Sequence, residues 1–217
     1  MFLKSLFACC VLLPGLALAQ EPPPPEQSPP AEAQPAPQPP APALVNVAIL
    51  TTMGEITVAL EVERAPMTAK NFLRYVDAKR FDGANFYRAV AIGEEGKYGM
   101  LQGGLRSDPK KVFAPIPHEA PAVTGLSHVD GAVSMARLEP GSAKAEFFIV
   151  MGDLTGLDGK AGGDDLGYAV FGRVTSGMHL VHQIMGQPRD EKAGAESGMK
   201  GQMLAAPVKI LTVRRID

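Results

Sequence analysis

Beyond position 10 this chain of 217 residues has no cysteine; its two, Cys9 and Cys10, are adjacent in the first apolar run. A disulfide framework and thiol chemistry are therefore excluded from everything downstream, and stability has to come from a packed core. Neither sign of charge is in excess. Lys and Arg number 21 against 23 Asp and Glu, a net charge of −2, which gives no electrostatic reason to expect nucleic acid or an anionic membrane as partner. Histidines are few, four in all. His179 and His182 can share a helix face, but no third ligand sits at a telling spacing, and a partly exposed helix accounts for them better than a metal does. The loop "DLTGLDGKAGGDD" has the aspartates for calcium but fails the D-x-[DN]-x-[DN]-G register. No metal and no cofactor are expected. Ser134 lacks a G-x-S-x-G elbow, and its neighbours Val133 and Met135 suggest a strand. The glycines around Gly96 and Gly103 lack the G-K-[ST] ending of a phosphate loop. No repeat at a fixed period is visible.

What is present falls into three parts. Residues 1–19 read as a secretory signal: Lys4 gives the positive start, an apolar run follows, and Ala17 and Ala19 are the small residues before a cut that leaves Gln20 first. The run is shorter than the ~20 residues a membrane span needs, and Pro14 interrupts it. No membrane insertion is expected after cleavage. Residues 20–43 are about half proline, with almost no large apolar side chains. Such a segment cannot bury enough surface to fold and reads as a stiff tether, with a ligand for a proline-binding module as the alternative. The folded domain is expected over 44–217.

Within it, "LVNVAILTT" and "EITVAL" alternate Val45, Val47 and Ile49, then Ile56, Val58 and Leu60, as a hairpin turning at Met53 and Gly54 would. "RAPMTAKNFLRYVDAKRF" has Pro66 at a helix start, with Ala69, Phe72, Leu73 and Val76 at helical spacing. Short apolar segments separated by glycine follow: "ANFYRAV", "GMLQGG", "GAVSMAR", "AEFFIVM" and "YAVFGRV". A second helix, "GMHLVHQIM", and a last strand, "VKILTVRRI", close the chain. Many short strands with two separated helices predict a mostly-β barrel or sandwich.

The segments "FYRAV", "MLQGG", "GAVSMA", "AEFFIV", "LDG" and "YAVFGRVTSGM" resemble, in this order, those of the cyclophilins, the secreted bacterial members especially. The resemblance covers the domain from the first hairpin through "APMTAKNF" to the last strand. It implies a closed eight-stranded β-barrel capped by two α-helices. It also implies peptidyl-prolyl cis–trans isomerase activity without a cofactor, proline-containing polypeptides as substrates, a periplasmic location and, as the default for a closed barrel, a monomer. Peptide-bond rotation faces ~18–20 kcal/mol, while the isomers of an X–Pro bond differ by only ~0.5–1 kcal/mol. Such a site therefore needs an apolar pocket for the proline ring, a donor for the pyramidal nitrogen and polar groups for the rotating carbonyl, with no nucleophile. By resemblance, Arg88 is the catalytic arginine and Gln102 the glutamine that hydrogen-bonds the substrate backbone. Met100, Phe148, Leu157 and Tyr168 line the proline pocket, and Ala136 offers a backbone contact. For Arg88 an ordinary strand-edge arginine, and for the apolar residues plain core, are the competing readings.

Three departures from the family pattern stand out. Gly99 replaces the phenylalanine before Met–x–Gln, and the preceding segment "AVAIGEEGKYG" is long: either it re-supplies the aromatic wall through Tyr98, a candidate substrate-binding residue, or it leaves the pocket more open. Glu146 stands where a glutamine is usual; a carboxylate only accepts hydrogen bonds, and it can either pair with Arg88 and hold it or weaken its donation to substrate. Gly156 removes another apolar wall. These departures keep open a second reading, a proline-peptide binding or envelope scaffolding module with weak or no catalysis.

Overall fold

Thr51 closes the first hairpin: its Oγ1 donates to Gly54 O at 2.8 Å and accepts from Met53 N–H at 3.0 Å. The computed structural model describes residues 43–93, 97–160 and 165–217. The expected signal, and the tether up to residue 42, lie outside the described residues. So do 94–96 in the "AVAIGEEGKYG" segment and 161–164 in the aspartate loop. Strands β1 (Val45–Thr51) and β2 (Gly54–Leu60) pair antiparallel from Val45–Leu60 to Thr51–Gly54, so the two turn residues are Thr52 and Met53. Their alternation buries Val47, Ile49, Ile56, Val58 and Leu60 on the inner face.

Helix α1 (Pro66–Asp77) starts on proline, but Ala65 before it provides no side-chain cap. The cap comes from far along the chain. The buried Glu119 carboxylate accepts from Met67 N–H at 3.1 Å, Thr68 N–H at 2.7 Å and Thr68 Oγ1 at 2.6 Å. It satisfies donors that the first turn leaves open and places negative charge at the positive end of the helix dipole. Inward, Phe72 packs against Phe81, Phe147 and Phe171 at centroid distances of 4.9, 5.3 and 5.3 Å.

The remaining strands are β3 (Asn85–Ile92), β4 (Tyr98–Gly104), β5 (Ala132–Met135), β6 (Phe147–Met151), β7 (Ala169–Ser176), β8 (Arg189–Asp190) and β9 (Met203–Ile216). They run in the order β1-β2-β7-β5-β6-β4-β3-β9-β8, and β9 also pairs with β1. Eight strands thus close a barrel, as expected, and the two-residue β8 is an extra edge. The expected second helix is α3 (Met178–Met185), which buries Leu180, Val181, Ile184 and Met185 and leaves His179 and His182 exposed. Between the two lies a four-residue helix, α2 (Pro121–Thr124), that the sequence patterns did not indicate. Phe147 pairs with Gly103 and Met151 with Gly99, so β6 runs from the end that α1 covers toward the end where α3 sits, and β4 runs the opposite way.

Candidate active site

On the outer face of β3, β4 and β6 lies a groove of about 910 Å³, walled further by residues of 136–144 and 193–199. Arg88 and Gln102 are directly paired across β3 and β4. A bulge in β3 between Phe86 and Arg88 shifts the register against both β4 and β9. Successive strand residues normally face opposite ways; the bulge re-aims the strand so that Tyr87 and Arg88 both line the groove. On β4, Met100 and Gln102 share the groove face, while Leu101 between them is wholly in the core.

The polar groups form one chain of hydrogen bonds. Arg88 Nη1 donates to Gln102 Oε1 at 2.8 Å, Gln102 Nε2 to Tyr87 Oη at 2.9 Å, and Tyr87 Oη to Glu146 Oε2 at 2.5 Å. Glu146 Oε1 also accepts from the backbone N–H of Leu105 and Ser107, at 3.1 and 3.0 Å. From the other side, Arg88 Nε and Nη2 donate to Gln202 Oε1 at 2.8 and 2.5 Å. Of the two outcomes open for Glu146, direct pairing with Arg88 is therefore not found: Glu146 is held by Tyr87 and two backbone amides. Gly104 leaves room for it. At φ +143°, a side chain there would meet Glu146 Oε2 at 2.5 Å. Burial pushes the Arg88 pKa down, but a guanidinium starts so high that it stays a cation. Burial, reinforced by Glu146, raises that of Tyr87, which remains a neutral donor.

The apolar part lies beside this chain. Phe148 on β6 sits between Gln102 on β4 and Ser134 on β5, and only its edge reaches the groove. Tyr168 meets it edge-on at 5.7 Å and 84°. Met100, Leu157, Ala136 and Glu146 line the same groove. Tyr98 does not. Its ring covers Gly152, away from the groove, so it does not re-supply the aromatic wall. No side chain is possible at Gly99, where a Cβ would lie 2.1 Å from Val90 O and 2.8 Å from Met185 Cε. At Gly156, by contrast, a Cβ would meet nothing within 4 Å, and no neighbouring atom takes the place of a side chain there.

Behind Phe148 runs a second polar chain. His128 Nδ1 is 2.5 Å from Asp158 Oδ1, and its Nε2 is 2.9 Å from Ser134 Oγ; Ser127 Oγ also donates to Asp158. The His128 ring stacks on Phe148 at 5.8 Å and 13°. Ser, His and Asp are the residue types of a hydrolase, yet Ser134 and His128 are fully buried, so no substrate carbonyl can reach the hydroxyl. This chain supports the pocket floor. The sequence reading missed His128, Asp158, Tyr87 and Gln202: the first two are too far apart in sequence to form a motif, Tyr87 is quoted within "FYR" without a role, and Gln202 sits in no pattern.

A family model described as cyclophilin type peptidyl-prolyl cis-trans isomerase/CLD matches residues 46–214. The chain belongs to the cyclophilin family. Among curated cyclophilins, it is 36% identical over 150 residues to peptidyl-prolyl cis-trans isomerase A of Dickeya dadantii, covering 69% of this chain and 75% of that one. It is 34% identical over 175 residues to a peptidyl-prolyl cis-trans isomerase of Acinetobacter baylyi, covering 79% and 87%. A crystal structure of a Cryptosporidium parvum cyclophilin type peptidyl-prolyl cis-trans isomerase superposes with TM-score 0.64 at 18% identity, over 81% of this chain and 99% of that one. The same enzyme solved in the presence of the dipeptide Ala-Pro gives TM-score 0.62 at 19% identity, over 79% and 99%. Membership makes this cyclophilin an enzyme of the peptidyl-prolyl cis–trans isomerase class, and the barrel is the family's fold.

Proposed function

We propose that the domain accelerates rotation of X–Pro bonds in exported, partly unfolded proteins, by non-covalent stabilisation of the twisted amide. The observation that carries this reading is the adjacency of Arg88 and Gln102 to the Phe148 pocket on one open face. The proline ring sits over Phe148 between Met100, Leu157 and Tyr168. Twisting breaks the conjugation of nitrogen with the carbonyl, so the nitrogen becomes pyramidal and carries a lone pair. Arg88 donates to that lone pair, Gln102 binds the substrate backbone, and Ala136 pairs with the extended peptide. No bond to the enzyme forms and no proton leaves it. The Ala-Pro dipeptide used with the Cryptosporidium parvum relative supports proline-containing peptides as ligands.

The test is the cis-to-trans rate of a short X–Pro peptide with the purified protein and with Arg88→Ala. Acceleration lost with Arg88, the fold being intact, is the expected result. The missing side chain at Gly156, with nothing within 4 Å of where its Cβ would lie, supports a second reading: a binder that holds proline segments without turning them over. Peptide affinity without rate acceleration would establish that alternative. We place the mature protein in the periplasm, with the signal over 1–19, the tether over 20–43 and the isomerase over 44–217. Export followed by N-terminal sequencing should return Gln20.

A further inference from the structure

Arg88 is held from a side that no family motif marks. Gln202 ends the segment 191–202 that leads from β8 into β9, and Met199 and Met203 beside it line the groove. Its main chain is fixed at both ends of the residue. The N–H donates to Met199 O at 3.0 Å, and the C=O accepts from Ala89 N–H at 2.8 Å. Gly201, at φ +71°, supplies the turn before it. The backbone of Gln202 is thus tied to the residue next to Arg88, and its amide oxygen reaches the side of the guanidinium that Gln102 leaves open.

A guanidinium has five N–H donors. Gln202 Oε1 takes one from Nε and one from Nη2, and Gln102 Oε1 takes one from Nη1. By difference, one N–H on each terminal nitrogen remains. Among the described residues no carboxylate is hydrogen-bonded to Arg88; Glu146, on the same chain, stops at Tyr87. The arginine is therefore oriented by two neutral amide oxygens, which fix its plane without neutralising its charge.

We propose that Gln202 is a positioning residue for Arg88, which fixes the guanidinium while leaving its full charge for the substrate nitrogen. The inference rests on the role given to Arg88 above. It separates orientation from charge. A carboxylate at 202 keeps both hydrogen bonds but neutralises the cation, whereas a methyl at 202 leaves the charge but frees the plane.

The experiment compares the purified wild-type protein with Arg88→Ala, Gln202→Ala, Gln202→Glu and the Arg88→Ala/Gln202→Ala double variant. Readouts are kcat/KM on one X–Pro peptide, the affinity for that peptide, and water exchange of the Arg88 Nε–H resonance. Gln202→Ala should lower kcat/KM about tenfold, short of the ~10²-fold of a 1 Å misplacement. Peptide affinity should stay within about twofold, and the Nε–H should exchange faster while the rest of the amide spectrum is unchanged. Gln202→Glu should also lose activity at neutral pH, although its Nε–H stays protected. In the Arg88→Ala background, Gln202→Ala should cost nothing further. An inactive Arg88→Ala beside fully active Gln202→Ala and Gln202→Glu overturns this inference alone. An active Arg88→Ala overturns the role of Arg88 and the inference together. Should Gln202→Ala fail to fold, Gln202→Glu decides: full activity contradicts the proposal.

Discussion

Two polar chains flank Phe148 in this barrel, one in the groove on β3 and β4 and one behind it between β5 and the neighbouring loops, and they differ in access as well as in chemistry. The inner chain, Ser134–His128–Asp158, has the residue types of a nucleophilic triad, but its Ser134 and His128 are fully buried beside Phe148. The outer chain, Arg88–Gln102–Tyr87–Glu146, has no nucleophile but presents a half-buried cation beside an apolar pocket. For rotation about an amide the second arrangement suffices, since the barrier is electronic conjugation and a donor at the nitrogen lowers it. The pairing teaches that residue type identifies a site only together with exposure.

The largest effect expected is from Arg88→Ala: loss of kcat/KM on the order of 10²-fold, the scale of removing one preorganised donor. Its unfolding free energy should stay near wild type, because the side chain is half-exposed. Equal losses in both would make Arg88 structural. Next, His128→Ala should cost about 3 kcal/mol in urea unfolding, since it leaves Ser134 Oγ without its partner, removes one of the hydrogen bonds to Asp158 and opens a hole beneath Phe148. A loss below about 1 kcal/mol would mean that the inner chain supports little. Ser134→Ala removes one hydrogen bond and should cost about 1 kcal/mol while retaining isomerase activity within about threefold.

The inner chain also predicts a pH dependence. Burial lowers the His128 pKa, against the pull of Asp158. Asp158 is itself held low, burial notwithstanding, by its hydrogen bonds from Ser127 and His128. A depressed histidine pKa means that the unfolded chain takes up the proton first. The stability it confers is thus fully present above the unfolded value of ~6.5 and declines as pH falls below it. The Asp158 contribution likewise holds above ~3.9 and is lost as pH falls through its folded value. Urea midpoints should drop between pH 7.5 and 5.5, and His128→Ala should flatten that slope; an unchanged slope would place the titration elsewhere. The smallest effect is Glu146→Gln, with turnover within about twofold, because the carboxylate does not touch Arg88. A rise of tenfold would restore competition between them.

Much of the fold could be read from local pattern. Alternation in "LVNVAILTT" and "EITVAL", and the 3.6-residue spacing of Phe72, Leu73 and Val76, each reflect one buried face. Six ordered segments then identified the barrel and brought Arg88, Gln102, Met100 and Phe148 to one face. What escaped was set by contacts between distant residues. Glu119 caps a helix 51 positions away, and Gln202 reaches Arg88 across 114. Tyr98 was a candidate for the groove because an aromatic was missing there, yet its ring covers Gly152, and Met185 and Val90 leave no room at Gly99. Pairing of Glu146 with Arg88 was one of two outcomes open from the sequence, but the bulge at Tyr87 brought a nearer donor.

The contrast between the two chains is tested most directly by the cis-to-trans rate of one X–Pro peptide, measured side by side for wild type, Arg88→Ala and Ser134→Ala. Strong acceleration by wild type and Ser134→Ala, and almost none by Arg88→Ala, is expected if the groove performs the rotation. Loss of acceleration in a well-folded Ser134→Ala, with Arg88→Ala still active, would assign the chemistry to the buried chain and contradict it.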